Sequence, residues 1–197
     1  MQRYKWLWLV VLGYLVTGTL FAVYTPDWQA PDEPAHYNYV RQLAGGALPL
    51  MEPGDYDQAY IEAIVGSRFD PALSVDRLTY EDWQPPLYYA LQTPVYQLSG
   101  GSPLALRLFS VLLGAGVVVL TYFIGRALFP DREWLGLGAA VFVAFLPQHL
   151  AVLSSVNNDS LAELIIAALL LLMVIPGGKN GQLPICWAWG WCWGQGC

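Results

Sequence analysis

Residues 6–24 read WLWLVVLGYLVTGTLFAVY, a stretch without a single charged side chain. A helix of this length, with a rise of about 1.5 Å per residue, extends roughly 28 Å, which is close to the hydrocarbon thickness of a bilayer. Arg3 and Lys5 precede it, as basic residues do in a signal peptide. Its length and the lack of a small-residue cleavage site after it favour an uncleaved anchor instead. The stretch therefore predicts a first transmembrane helix.

Three further apolar runs follow, Leu108–Ile124, Leu135–Val156 and Leu161–Ile175, and each is bounded by a turn containing proline or glycine. The whole chain is 56% hydrophobic and only 12% charged, with a mean hydropathy of +0.42. A soluble domain carries about twice that charged fraction. The sequence thus predicts an all-α membrane protein with about four transmembrane helices.

The acidic residues are concentrated in one segment. The net charge is -6, and residues 25–103 contain eleven carboxylates against three arginines. This charge is of the wrong sign for binding a nucleic-acid backbone, so no nucleic-acid partner is expected. The three cysteines all fall within residues 186–197, with spacings that match neither a zinc site nor a redox pair.

The positive charges near the span ends predict the orientation, because Lys and Arg in short loops are retained in the cytoplasm. If four spans alternate, one side collects Arg3, Lys5, Arg126, Arg132 and Lys179. The N-terminus is then inside and residues 25–103 are outside.

The chain divides into four parts on this topology. They are the N-terminus with the first span (1–24), an acidic outer loop (25–103), spans two to four (104–176) and a tail (177–197). Within the outer loop, residues 35–44 and 56–65 mix Tyr and aliphatic residues with scattered charge. They are predicted to form short helices at the membrane surface.

A first polar cluster, residues 31–37, reads PDEPAHY. Asp32 and Glu33, with His36 shortly after, could supply a general base or bind a divalent cation. They could equally begin a helix, with Asp32 as the N-cap and Pro34 in the first turn.

A second cluster, residues 81–89, reads EDWQPPLYY. Its two prolines fix the backbone, and Tyr88 and Tyr89 place amphipathic rings at headgroup depth. The turn could hold a lipid phosphate or a sugar, or it could simply stop the loop ahead of an interfacial helix.

A third cluster, Asn157, Asn158 and Asp159, lies between spans three and four. Ser160 and Glu163 follow with the spacing of a capping box, so the cluster could serve only to begin a helix. Glu163, about one turn inside an apolar run, needs a partner. For it and for His149 in the third span, an interhelical hydrogen bond is the simplest expectation.

The three clusters, in this order and on one side of the membrane, resemble the N-terminal part of the GT-C superfamily of integral-membrane glycosyltransferases. The likeness covers about residues 1–176 and is greatest to uncharacterised bacterial relatives of protein mannosyltransferases and aminoarabinose transferases. Its motifs here are residues 31–36 (PDEPAH), 84–89 (QPPLYY) and 157–159 (NND).

The resemblance implies an inverting enzyme whose general base is Asp32, with Glu33 as the alternative. It implies a polyprenyl-phosphate-linked sugar as donor, with binding residues among His36, Gln84, Tyr88, Asn157, Asn158 and Asp159. Related enzymes often have Lys or His before the paired prolines, where this chain has neutral Gln84. Arg107, at the outer edge of span two, could therefore meet the phosphate, or could snorkel at the interface.

The tail has a composition unlike the rest of the chain, with residues 186–194 reading CWAWGWCWG. Trp has the single codon TGG, so reading one base earlier converts this tract to Leu, Gly and aliphatic residues, as in a membrane helix. We expect a frame shift between about residues 176 and 186, which would make the chain a fragment and inactive alone. A Trp-rich tail in the membrane interface is the competing interpretation.

Three functions remain open from the sequence. One is a glycosyltransferase of the bacterial cytoplasmic membrane, which acts on an envelope lipid, glycan or protein. Another is a non-catalytic membrane subunit whose acidic loop binds a partner. The third is a transporter using His149 and Glu163, although its spans carry few charges. If the protein is an enzyme, Asp32, Gln84 and Asn158 or Asp159 are expected to converge on one cavity at the outer membrane boundary.

Overall fold

The computed structural model describes residues 4–175, and within them the chain is helical without any β-strand. The helices are α1 (Lys5–Tyr24), α2 (Glu33–Ala44), α3 (Gln58–Gly66), α4 (Leu87–Ser99), α5 (Pro103–Leu128), α6 (Glu133–Phe145), α7 (Pro147–Leu153) and α8 (Asp159–Val174). A short 3₁₀ turn covers Val75–Arg77. The predicted all-α fold is confirmed. The predicted tail, 177–197, lies outside the described residues.

Within residues 4–175, two helices, α1 and α5, are each long and apolar enough to cross a membrane. The third predicted span is not one straight helix, because α6 and α7 meet at Leu146 with a bend of 65°. Pro147 explains the break, since proline lacks the N–H that would continue the hydrogen-bond ladder. Helix α8 has 16 residues and extends about 24 Å, less than a full hydrocarbon thickness.

Helix α5 lies at the centre of the bundle and contacts α1, α4, α6, α7 and α8. Its partner α6 comes unusually close. A Cβ built on Gly125 would lie 2.6 Å from the Cα of Gly136, so neither position has room for a side chain. Small residues that let helix backbones approach are characteristic of membrane bundles.

The outer loop folds into a layer that packs on one end of this bundle. A buried cluster joins α2 and α4 of the loop to α5 and α8: Tyr39, Val40, Tyr88, Tyr89, Leu106, Val156 and Leu161. Asn38 of α2 fixes the turn before the second cluster by donating to the carbonyls of Val75 (2.7 Å) and Leu78 (2.9 Å). The observed α2 and α3 agree with the short helices predicted at 35–44 and 56–65.

Candidate functional site

Asp32 stands at the N-cap position of α2, but its side chain does not cap the helix. Its backbone is left-handed, with φ of 58°. Its carboxylate instead accepts a hydrogen bond from the hydroxyl of Tyr80 at 3.0 Å. The side chain is exposed. Asp32 therefore occupies the predicted N-cap position, but its carboxylate bonds to Tyr80 and not to the helix backbone.

Glu33, the next residue, is fully buried and surrounded by donors. Arg107 donates to it through Nε at 2.7 Å and Nη2 at 2.6 Å. The backbone N–H groups of Trp28 and Val156 each donate at 3.1 Å. We call this set of residues the Glu33 junction. It holds together the end of α1, the start of α2, α5 and the turn before α8.

Arg107 is 2% exposed and uses its whole guanidinium within this junction. Besides Glu33, it donates to the carbonyls of Ala22 (2.9 Å), Thr25 (2.7 Å) and Pro26 (3.2 Å). These contacts occupy all five N–H donors that an arginine has. The geometry differs from both predicted roles, because no guanidinium N–H remains free for a phosphate and the side chain is buried rather than exposed.

His36 lies inside the loop layer. Its Nδ1 is 2.8 Å from the hydroxyl of Tyr89, and the side chain is 3% exposed. Burial lowers the pKa of His36 to about 4, against a smaller opposing effect of Asp32. A neutral His36 therefore packs against Tyr89, which in turn stacks on Tyr39 with a centroid separation of 3.8 Å.

Gln84 connects the second and third clusters directly. Its amide donates to Glu81 at 2.8 Å and its carbonyl accepts from the amide of Asn158 at 3.0 Å. The backbone of Gln84 is held as well, since its carbonyl accepts from the hydroxyl of Tyr39 at 3.1 Å. Residues about 74 positions apart in sequence are thus joined by side-chain contact.

Tyr88 makes a second connection between the same clusters. Its buried hydroxyl accepts from the backbone N–H of Asn157 at 3.1 Å and from the amide of Gln92 at 2.8 Å. It is also 2.8 Å from Ser110 on α5. The hydroxyl therefore serves as an anchor for the turn before α8.

The Asn157–Asp159 turn is closed by its own side chain, since the backbone N–H of Asp159 donates to Asn157 Oδ1 at 2.9 Å. The predicted capping box at Ser160 does not form, because the Ser160 hydroxyl donates to the carbonyl of Asn157. Glu163 instead meets His149, with Oε2 2.6 Å from Nε2. The expected interhelical hydrogen bond is present.

The three clusters thus meet, and within residues 4–175 their side chains border two separate cavities. The first, the loop cavity, has a volume of about 260 Å³ and is bordered by Asp32, Tyr80, the loop before α2 and helix α3. The second, the helix cavity, has about 160 Å³ and lies between Pro85, Tyr88, Asn158 and the apolar face of α8. Gln84, Asn157 and Asp159 line neither of the two.

The charges around these openings are acidic. Burial raises the pKa of Glu81, and the neighbouring carboxylates of Asp32 and Asp159 raise it further, against a hydrogen bond from Gln84 that lowers it. In the part of the chain that the structure describes, neither cavity is lined by Lys or Arg. A phosphate would find no cation in either one.

A cation site at Asp32, Glu33 and His36 is not formed by this arrangement. Within residues 4–175, no group of three His, Cys, Asp or Glu side chains is placed to hold a metal ion. Glu33 is directed at Arg107, while the Nδ1 atom of His36 faces Tyr89.

Sequence reasoning missed Tyr80, the hydroxyl partner of Asp32, and helix α3 as a wall of the loop cavity. No motif marks Tyr80, which is one of twelve tyrosines. Helix α3 was predicted as an element, but its position depends on long-range contacts. One of these is the hydrogen bond from the Tyr60 hydroxyl to the Ser74 carbonyl, 2.7 Å long.

Comparison with known proteins identifies a family whose matched range includes residues of the second and third clusters. The model of the dolichyl-phosphate-mannose-protein mannosyltransferase family matches residues 83–193, which is more than half of the chain. No curated protein and no solved structure matches the chain. The matched range contains the paired-proline turn, the Asn157–Asp159 turn and helices α4 to α8. The chain therefore belongs to the dolichyl-phosphate-mannose-protein mannosyltransferase family, a family of GT-C membrane glycosyltransferases that use a polyprenyl-phosphate sugar donor.

Proposed function

We propose that these residues form the N-terminal part of an inverting glycosyltransferase in which Asp32 is the general base. The enzyme moves a sugar from a polyprenyl-phosphate donor to an envelope lipid, glycan or protein acceptor. The observation that carries this proposal is the contrast between two adjacent carboxylates. Glu33 is enclosed by four hydrogen bonds. Asp32 is exposed beside a cavity, with the Tyr80 hydroxyl as a partner.

The reaction assigned to Asp32 is a single displacement at the anomeric carbon. The acceptor hydroxyl gives its proton to a carboxylate oxygen of Asp32 while its oxygen bonds to the anomeric carbon. The bond from that carbon to the phosphate oxygen breaks, and polyprenyl phosphate leaves with the electron pair. A positioned base of this kind typically contributes about 10²–10⁴-fold to the rate.

Tyr80 supports this role by orienting the base. Burial raises the pKa of the Tyr80 hydroxyl, and the adjacent Asp32 carboxylate raises it further. The phenol therefore remains protonated and donates to Asp32 Oδ1, which leaves Oδ2 for the acceptor.

We assign the helix cavity to the lipid part of the donor. Its lining is mainly apolar and includes Leu161, Ala162 and Ile165 on α8, with Asn158 at its polar end. Isoprene units could lie against this helix face while the phosphate remains near Gln84 and Asn158. Neutral donors alone do not neutralise a phosphate, so the cationic contact must come from another part of the enzyme.

The orientation proposed for the chain places its N-terminus in the cytoplasm of a bacterium and the loop layer outside the cytoplasmic membrane. The positive residues Lys5 and Arg126 support it. Arg126 pairs with Glu133 at 2.7 Å, at the end of α5 opposite to Arg107. Residues 1–197 alone are expected to be inactive, since neither described cavity is lined by a cation for the donor phosphate.

The test is the substitution Asp32→Asn in the full-length enzyme to which these residues belong. It removes the base and keeps the shape, so transfer of labelled sugar from polyprenyl phosphate in isolated membranes should fall about 10²–10⁴-fold. Glu62→Gln is the matched control, because it makes the same type of change at an exposed position of α3. It should leave transfer unchanged.

Full activity of the Asp32→Asn variant would contradict the proposal. It would favour the alternative in which the acidic loop binds a partner without taking part in catalysis.

A further inference from the structure

The loop cavity has a composition that the general-base role of Asp32 does not explain. Its walls are mainly apolar and come from three places: Pro31 and Pro34 at the start of α2, Ile61, Ile64 and Phe69 around α3, and Leu78 after the 3₁₀ turn. Its polar side chains are Gln29, Asp32 and Tyr80, with Trp28 at its edge. A catalytic carboxylate facing water would need no such enclosure.

The walls of the cavity are held in place by contacts outside it. The indole of Trp28 packs edge-on against Tyr37 with centroids 4.9 Å apart, and the backbone N–H of Trp28 donates to Glu33. On the other side, the backbone N–H of Phe69 donates to the carbonyl of Ile64 at 2.8 Å. Gln29 links the two sides by donating to the carbonyl of Arg68 at 3.3 Å.

Strained backbone is concentrated at the same place. Within residues 4–175, the residues other than glycine with positive φ are Trp28 (70°), Asp32 (58°), Arg68 (57°) and Phe69 (60°). Trp28, Asp32 and Phe69 line the loop cavity, and Arg68 carries the carbonyl that joins its two sides. Such conformations persist where the surrounding structure enforces them, and they are often found at ligand sites.

The lining restricts the chemistry of what can enter. A phosphate or carboxylate would meet Asp32 with no cation among the described lining residues to balance it. A sugar would bring several hydroxyl groups, and most would face Ile64, Phe69 or Leu78 without a hydrogen-bond partner. Buried polar groups without partners are costly. A ligand with an apolar body and one hydroxyl directed at Asp32 would match both the apolar walls and the polar group of the cavity.

We propose, on the basis of the function assigned to Asp32, that the loop cavity is the acceptor subsite and takes an uncharged, aryl or branched-alkyl alcohol. The apolar body of the acceptor lies between α3 and the loop before α2, with its hydroxyl within reach of Asp32 and Tyr80. The volume of about 260 Å³ is that occupied by about nine water molecules in the liquid, and it is enough for one substituted aromatic ring.

The experiment uses photolabelling of the purified 1–197 chain in phosphatidylcholine nanodiscs. The probe is a trifluoromethyl-diazirinyl benzyl alcohol, an apolar alcohol that attaches where it binds and whose position is read by peptide mass spectrometry. Labelling of residues 58–80 should saturate and should be displaced by unlabelled benzyl alcohol but not by glucose. Labelling of the lipid-facing helices, which does not saturate, provides the internal reference.

Two substitutions on α3 make the test specific. Val65 lines the loop cavity and is 54% exposed, so Val65→Trp fills the opening without disturbing the buried side. Saturable labelling should then fall about tenfold or more. Ala63→Trp adds the same ring at an exposed position outside the cavity and should label like the wild type.

Labelling that does not saturate, that glucose displaces equally, or that Val65→Trp leaves unchanged would overturn the subsite. The general-base role of Asp32 is tested by a different measurement, and unchanged sugar transfer in the Asp32→Asn enzyme would contradict it. The two failures are therefore distinguishable.

Discussion

The Glu33 junction and the loop cavity begin at consecutive residues, yet they use a carboxylate in opposite ways. Glu33 is completely buried and accepts from Arg107 and from two backbone N–H groups. Asp32 is exposed and accepts from a single tyrosine hydroxyl, that of Tyr80. Asp32 also has a left-handed backbone, with φ of 58°. A carboxylate that stabilises a fold and one that can take a proton thus differ in the number of donors around them.

The largest effect that separates the two residues concerns stability. Glu33→Gln removes the partner charge of a buried arginine, and breaking such a pair costs about 3–5 kcal/mol. That is a large share of a typical free energy of unfolding of about 5–15 kcal/mol. Thermal unfolding of the chain in detergent should show this loss. Asp32→Asn, the matched control, should change stability by less than about 0.5 kcal/mol. Equal stability of the two variants would refute the structural role of Glu33.

A smaller effect is expected from His36, which lies one helical turn after Asp32. Its pKa of about 4 in the folded state lies below the ordinary 6.5, with burial as the main cause and Asp32 opposing it. Between pH 4 and pH 6.5, His36 is therefore protonated in the unfolded chain and neutral in the folded chain. Stability is complete above about pH 6.5 and falls by about 3 kcal/mol as the pH approaches 4.

The measurement is the unfolding temperature of the wild type and of His36→Gln between pH 4 and 7. The variant lacks the titrating ring, and Gln can still bond to the Tyr89 hydroxyl. The difference between the two curves isolates His36 from carboxylates such as Glu81 and Asp82, whose pKa values are raised by burial. Parallel curves would show that His36 does not carry the expected pH dependence.

The smallest effect is expected at Tyr80. Tyr80→Phe removes one partly exposed hydrogen bond to Asp32, which corresponds to about 1 kcal/mol, or roughly fivefold in the transfer rate of the full-length enzyme. Because this bond is exposed, the free energy of unfolding should change by less than about 0.5 kcal/mol. A loss of stability without a loss of rate would assign Tyr80 to the fold rather than to the base. Tyr60→Phe, which loses its bond to Ser74, is the comparison for a tyrosine that only supports the loop.

Much of the fold followed from local patterns. Uncharged runs predicted the bundle, and scattered charge with Tyr predicted α2 and α3, because amphipathicity is read directly from spacing. The bend at Leu146 was missed, although Pro147 was visible, because the run around it is apolar throughout. A strongly hydrophobic run masks a proline that interrupts it.

The candidate site was less accessible to sequence reasoning. The contacts between Gln84 and Asn158 join clusters that were identified separately, and their meeting was predicted only from the resemblance and the topology. The partner of Arg107 could not be predicted, since Glu33 lies 74 positions away and ten other carboxylates share its loop. Which of many acids meets a buried cation depends on tertiary packing.

The Glu33 junction also has a consequence for the order of events during biosynthesis. Glu33 and Val156 are 123 residues apart, and Arg107 is made between them. At about 5–20 residues per second, the ribosome reaches Val156 roughly 6–25 s after Glu33. During that interval Glu33 lacks first the guanidinium of Arg107 and then the backbone N–H of Val156. Closure of the loop layer around Glu33 must therefore wait until both Arg107 and Val156 have been made and have reached their places in the bundle.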